Sequence, residues 1–261
     1  MNDGSEQDIV GTSADPLSEA RSLAEGAAAA RVELRLLGGL AVRVLCPDFP
    51  PRVRRDQDID FGCLAKGRKS VVTYLEAAGC VADRRFNSLN GDRQMYFNAP
   101  SGRPIDVMVD QLTMCHTLDF RPRFHALALT LDVADLLLTK LQIVELNEKD
   151  AHDILHLLSA FAVVAGPSSA TAPVIDAQRV AAVVGGDWGW WRTVSENLKK
   201  LPHIVEQRPE LRPPDASRDA LAQARALLEV ANDAPKSLQW KMRAKVGDRM
   251  RWYELPEEVA H

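Results

Sequence analysis

Two aspartates alternating with apolar residues, Asp58-Ile59-Asp60-Phe61, constrain this chain more than any other segment. Successive side chains of a strand point to opposite faces, so Asp58 and Asp60 share one face while Ile59 and Phe61 look into a core. Upstream, the alternating run Val32-Glu33-Leu34-Arg35-Leu36 leads into Leu37-Gly38-Gly39, and Leu40 to Leu45 suits a short helix. The pattern predicts strand, glycine turn, short helix and a second strand with two carboxylates on one side. Side-by-side carboxylates repel unless a cation lies between them, which makes this arrangement costly without a purpose.

An isolated Asp-x-Asp ends many strands by chance. Here a third carboxylate, Asp106, stands on a later strand, Ile105-Asp106-Val107-Met108-Val109, opposite three apolar neighbours. Hard oxygen ligands suit magnesium carrying substrate phosphates. Three carboxylates (Asp58, Asp60 and Asp106) can hold two such ions, one toward an attacking hydroxyl and one toward a triphosphate. Gly38 and Gly39 let backbone N–H groups approach phosphate oxygens without obstruction. No Gly-Lys-Ser/Thr follows, so this is not a Walker loop.

The rest of the chain gives the frame. Residues 1–15 are polar and read as a disordered N-terminus. Pro16 to Arg31 is Ala-rich and helical, and Lys69 to Ala78 is a helix stopped by Gly79. Val81 to Phe86 and Gln94 to Asn98 read as strands around the turn Asn90-Gly91-Asp92, and the Asp-x-Asp strand is expected to end near Gly62. Asp132 to about Phe161 is helical, as two helices divided near Asn147. A Gly/Pro/Ser/Ala stretch at 165–173 reads as a linker, and from Ile175 onward the pattern is helix and loop. The fold class expected is α+β: a mixed sheet with flanking helices over 16–130, then a helical C-terminal region over 131–261, with the substrate cleft between them.

Composition narrows the setting. A chain of 261 residues, 46% apolar and 26% charged, with net charge −4, has no global basic field for nucleic acid. Locally, Lys236, Lys241, Arg243, Lys245, Arg249 and Arg251 face only Asp248 in their segment. Cys46, Cys63, Cys80 and Cys115 are scattered, without a CxxC or a secretory signal, and no run reaches bilayer-spanning length. A cytoplasmic protein with no membrane role is expected.

In its Leu-Gly-Gly, Asp-x-Asp and third strand aspartate the chain resembles the polymerase-β-like nucleotidyltransferase superfamily. Within it, the chain is most similar to the AbiEii-type nucleotidyltransferases, found as toxins of toxin–antitoxin pairs and in related bacterial proteins. There a basic loop precedes Asp-x-Asp, as Arg54-Arg55-Asp56-Gln57 does here. A later helix carries a lysine followed by a basic-Asp-x-x-Asp segment, matched by Lys140-Leu141 and Lys149-Asp150-Ala151-His152-Asp153. The match spans about residues 32–160. Where the toxin-type helix carries Ala-Leu-x-x-Arg, this chain has Ile143-Val144-Glu145-Leu146-Asn147.

The resemblance implies a nucleotidyltransferase fold and magnesium-dependent transfer of a nucleoside monophosphate from an NTP to a hydroxyl, releasing pyrophosphate. Asp58, Asp60 and Asp106 would bind the metals, with Gly38, Gly39, Arg55 and Lys140 on the phosphates. Lys140 follows Leu136-Leu137-Leu138, so its ammonium either neutralises phosphate or snorkels to water. Asp150 and Asp153, at i and i+3, would orient Lys140, act as a base, or form an interdomain salt bridge or helix cap. The acceptor stays open between RNA such as tRNA, with an antitoxin as partner, and a small aminoglycoside-like molecule. A non-catalytic nucleotide-binding partner protein is the rival from another class.

Three features sit outside that site. His152 and His156 have the i, i+4 spacing of a zinc pair but no third ligand, and read as core or solvated histidines. The dense aromatics of Asp187-Trp188-Gly189-Trp190-Trp191-Arg192 read as helical core rather than a base-stacking platform. The basic-aromatic C-terminus reads as a packing helix or an RNA contact.

Overall fold

The computed structural model describes residues 15–50, 58–169 and 171–255. The expected N-terminal disorder and the basic loop with Arg54 and Arg55 therefore lie outside the described residues. In chain order the first elements are α1 (Pro16–Ala29), β1 (Leu34–Leu36), α2 (Gly38–Leu45), β2 (Ile59–Cys63), α3 (Arg68–Ala77), β3 (Val81–Ala82), α4 (Arg84–Asn90), β4 (Gln94–Asn98) and β5 (Pro104–Val109). A small hairpin follows, β6 (Gln111–Thr113) and β7 (Thr117–Asp119), then α5 (Val133–Leu141) and α6 (Glu148–Ala160). The chain continues through β8 (Val163–Val164), β9 (Ile175–Asp176), α7 (Ala177–Gly186), α8 (Trp188–Gln207), α9 (Ala220–Asp233) and α10 (Leu238–Val246).

The main sheet is mixed, in the order β1-β2-β5-β4-β3. Its central pair, β2 and β5, is parallel, and the other pairings are antiparallel. Parallel neighbours need a crossover, and α3 to β4 supply it. Alternation sets the two faces. Ile59, Phe61, Met95, Phe97, Ile105 and Val107 are buried, while Asp60, Gln94, Tyr96, Asp106 and Met108 take the intervening positions on the other face.

One local expectation is corrected. Val81 to Phe86 does not run as one strand: β3 stops at Ala82, and the Asp83 carboxylate accepts from Phe86 N at 2.8 Å, capping α4. Strand β2 runs from Ile59 to Cys63, ending within one residue of Gly62 as expected, and Gly62 pairs in register with Met108 with the Phe120 ring over it. A β-carbon there would meet the Phe120 ring at 3.2 Å, so the glycine lets the ring lie close over the strand. The C-terminal half is helical apart from β8 and β9, a two-residue parallel pair on either side of the Gly/Pro/Ser/Ala stretch.

Helix boundaries follow the capping side chains. Asp132, Asn147, Asp176, Asp187, Asp219 and Ser237 each accept a backbone N–H at the start of α5 to α10 in turn. Gly79, at φ +86°, ends α3. Helix α5 is apolar almost all round, which suits a helix buried on every side. It contacts α2, α6, α7 and α8. The buried apolar side chains form one continuous cluster from Ala20 to Ala234, shared by both halves of the chain.

Candidate functional site

The site grows out of the polar face of the sheet. Asp60 and Asp106 occupy paired positions on the parallel strands β2 and β5, and Tyr96 pairs with Asp106 from the next strand. Gln94 Nε2 donates to Asp106 Oδ1 at 2.5 Å. Asp58 is exposed, just before β2, on the same side as Asp60 by strand alternation. Burial first, and then the Asp106 and Asp58 carboxylates, push the Asp60 carboxyl up to about 7 against the opposing pull of Lys140.

Above Asp60 lies the glycine turn. Gly38 opens α2 at φ +61°, and a β-carbon there would collide with the Asp60 carboxylate. Leu37 N donates to Asp60 O at 2.8 Å, locking the turn to β2. Glycine is therefore demanded twice at position 38, by backbone geometry and by the carboxylate beneath it. Gly39 is buried within the first turn of α2.

Lys140, near the end of α5, is held by two carboxylates from the first turns of α6: Asp150 Oδ1 at 3.1 Å and Asp153 Oδ2 at 2.9 Å. Burial alone would lower its pKa, but Asp153 and Asp150 outweigh it and the net shift is upward. Lys140 is thus a charged, largely neutralised ammonium rather than a snorkelling one. Gly38, Asp60, Lys140 and Asp150 share the lining of one cleft of about 1370 Å³.

With this geometry in view, no protein-family model matches the chain and no curated protein matches it. The reading of the site therefore rests on its own chemistry. Among the described residues no group of three His, Cys, Asp or Glu side chains is gathered tightly enough to form a ready-made metal cage. What is present is a crowded oxygen pair, Asp60 and Asp106, on a sheet face, and a glycine turn over one of them. Such a donor set fits a hard divalent cation that completes its shell with water and ligand phosphates.

The remaining candidates sort plainly. Arg55 lies outside the described residues. His152 and His156 stack on one another with ring centroids 3.9 Å apart, and Phe49 meets His156 edge-on at 5.1 Å, so they pack rather than ligate. Trp188 and Trp190 are buried, and Trp190 Nε1 donates to Thr117 O at 3.2 Å, tying α8 to the hairpin. The faces of Trp188, Trp240 and Trp252 already carry Arg243, Lys236 and Arg192. All four cysteines are free and buried. No described helix is long and apolar enough to cross a membrane.

Sequence reasoning missed much of the cleft wall. Phe86 and Asn90 of α4, Arg93, the β6 side of the hairpin, Arg251 and the segment from Tyr253 to Leu255 also line it. The cap residue Asp83 was a usable signal for α4. The period-two alternation of β4 was one for Gln94 and Tyr96. Nothing local predicts that residues 251–255 return to the sheet.

Proposed function

We propose that this protein is a metal-dependent nucleotidyltransferase of the polymerase-β-like type, moving a nucleoside monophosphate from an NTP to a hydroxyl acceptor. The observation that carries the reading is Asp60, which lines a cleft large enough for a nucleotide beneath the Gly38 turn and stands in register with Asp106 on the neighbouring strand. In the reaction the acceptor oxygen bonds to the α-phosphorus, the bond from that phosphorus to the bridging oxygen breaks, and pyrophosphate leaves. Magnesium bound with Asp60, Asp106 and Asp58 would supply charge neutralisation for the triphosphate. The chain's own part is positioning: Gly38 brings backbone close to the phosphates, and the sheet holds two carboxylates rigidly in register.

The Lys140–Asp150–Asp153 cluster supports the branch resemblance, because it joins in space the lysine and the basic-Asp-x-x-Asp segment that suggested it. Lys140 then acts as a positioning residue that fixes α5 against α6 at the cleft edge. RNA is the acceptor favoured here. Lys241, Lys245 and Arg249 are exposed on and after α10, without a carboxylate partner among the described residues.

The test is incubation with each radiolabelled NTP, magnesium and total cellular RNA. Label transfer to RNA, abolished by Asp60→Asn, is expected. No transfer to RNA, protein or an aminoglycoside panel would overturn the enzyme reading.

A further inference from the structure

If Lys140 is balanced by two carboxylates, the charge that meets a polyphosphate must come from elsewhere in the cleft. Two arginines line it: Arg93, immediately before β4, and Arg251, on the segment after α10. Both are exposed, and neither has a carboxylate partner among the described residues. They come from distant parts of the chain, one leading into the sheet and one from the segment after α10.

The wall that carries Arg251 is built rather than draped. Glu254 N donates to Cys115 O, at the tip of the β6–β7 hairpin, at 3.0 Å. Trp252 Nε1 donates to Thr193 Oγ1 of α8 at 3.1 Å, and its ring meets Trp188 edge-on at 6.0 Å. Arg243 of α10 donates to Met250 O at 2.7 Å. Gly189 leaves room for the Trp252 carbonyl, where any β-carbon would crowd it. Trp252 is therefore the anchor, and its neighbours Arg251 and Tyr253 face the cleft, the guanidinium carbon 5.8 Å from the Tyr253 ring centroid.

We propose that the segment 251–255 forms a ligand-binding wall of the cleft, and that Arg251 on this wall and Arg93 in the same lining receive the phosphate groups of the bound ligand. The inference rests on the nucleotidyltransferase reading for the ligand class, but not for the two arginines being its anion receptors. Guanidinium groups suit this task because their forked donors match phosphate oxygens in pairs. Tyr253 lines the cleft beside Arg251, its ring within cation–π distance of the guanidinium.

The test uses the full chain, magnesium and inorganic tripolyphosphate, followed by calorimetric titration. Arg93→Ala and Arg251→Ala are each expected to weaken binding about tenfold or more, Arg251→Lys to recover part of it, and Lys199→Ala, exposed on α8 away from the cleft lining, to leave it unchanged. Arg251 contributes only its backbone carbonyl to the anchoring bonds, so its alanine variant should melt with the wild type. Wild-type affinity in both arginine variants, or no tripolyphosphate binding by the wild type, would overturn the proposal. Arginine-dependent tripolyphosphate binding without label transfer from any NTP would sink the transferase reading and leave this one standing.

Discussion

Position 38 and the carboxylate beneath it form the most tightly coupled pair of the site. Gly38→Ala would place a side chain in the left-handed region, at about 1–2 kcal/mol, and drive its β-carbon into Asp60. Urea denaturation should show that loss or more, and Asp60→Ala in the same chain should recover part of it, a non-additivity expected of contacting residues. Asp60 also makes stability depend on pH. Its folded pKa of about 7 lies above the ordinary 3.8, so the native state holds a proton that the unfolded chain releases. That contribution is complete below the unfolded value and is lost as pH rises through about 7. Metal-free Asp60→Asn should therefore be more stable than the wild type at pH 8, by ~2–4 kcal/mol, with the difference vanishing toward pH 4. A less stable variant at pH 8 would contradict the burial of Asp60 and its crowding by Asp106 and Asp58. This much was legible in the sequence, because period-two alternation alone puts Asp60 and Asp106 on polar faces. Their register could not be read, since pairing between distant strands is set by the whole sheet.

Among the elements, α4 shows where local reading fails and why. Val81 to Phe86 has the β-branched and aromatic residues of a strand, but Asp83 offers its carboxylate to Phe86 N and turns the chain into a helix. Capping outweighs residue preference over so short a run. Asp83→Ala should cost about 1 kcal/mol in chemical denaturation. It should also weaken ligand binding more than its small stability loss suggests, because α4 carries Phe86 and Asn90 into the cleft. The β6–β7 hairpin escaped notice for a different reason. Its strands are three residues each, without an Asn-Gly turn, and its tip is held from outside, Gln142 Oε1 accepting from His116 N at 3.1 Å. The split of the long helical run at Asn147 was legible, since Asn147 caps α6 through Asp150 N at 3.0 Å.

At the scale of the whole molecule, the hairpin and the segment after it are bolted to helices α5 and α7 by buried ion pairs. Arg123 reaches both Asp132, at 3.4 Å, and Asp176, at 2.6 Å. Arg179 of α7 binds Asp135 of α5 at 2.6 Å and donates to the backbone of Asp119 in the hairpin. Asp135 is fully buried, and burial, opposed by Arg179, raises its carboxyl to about 6. Arg179→Met would strand that carboxyl and should lower stability by ~3–5 kcal/mol, with Asp135→Asn restoring part of it in the double variant. These bolts hold α5, and with it Lys140, between the hairpin and α7. The central claim is that Asp60 and Asp106 together hold a metal-bound NTP. Calorimetric titration of ATP, GTP, CTP and UTP in turn, with and without magnesium, into wild type and Asp60→Asn/Asp106→Asn tests it most directly. Magnesium-dependent binding of at least one NTP by the wild type, and none by the folded double variant, is the predicted result; equal binding by both proteins would contradict it.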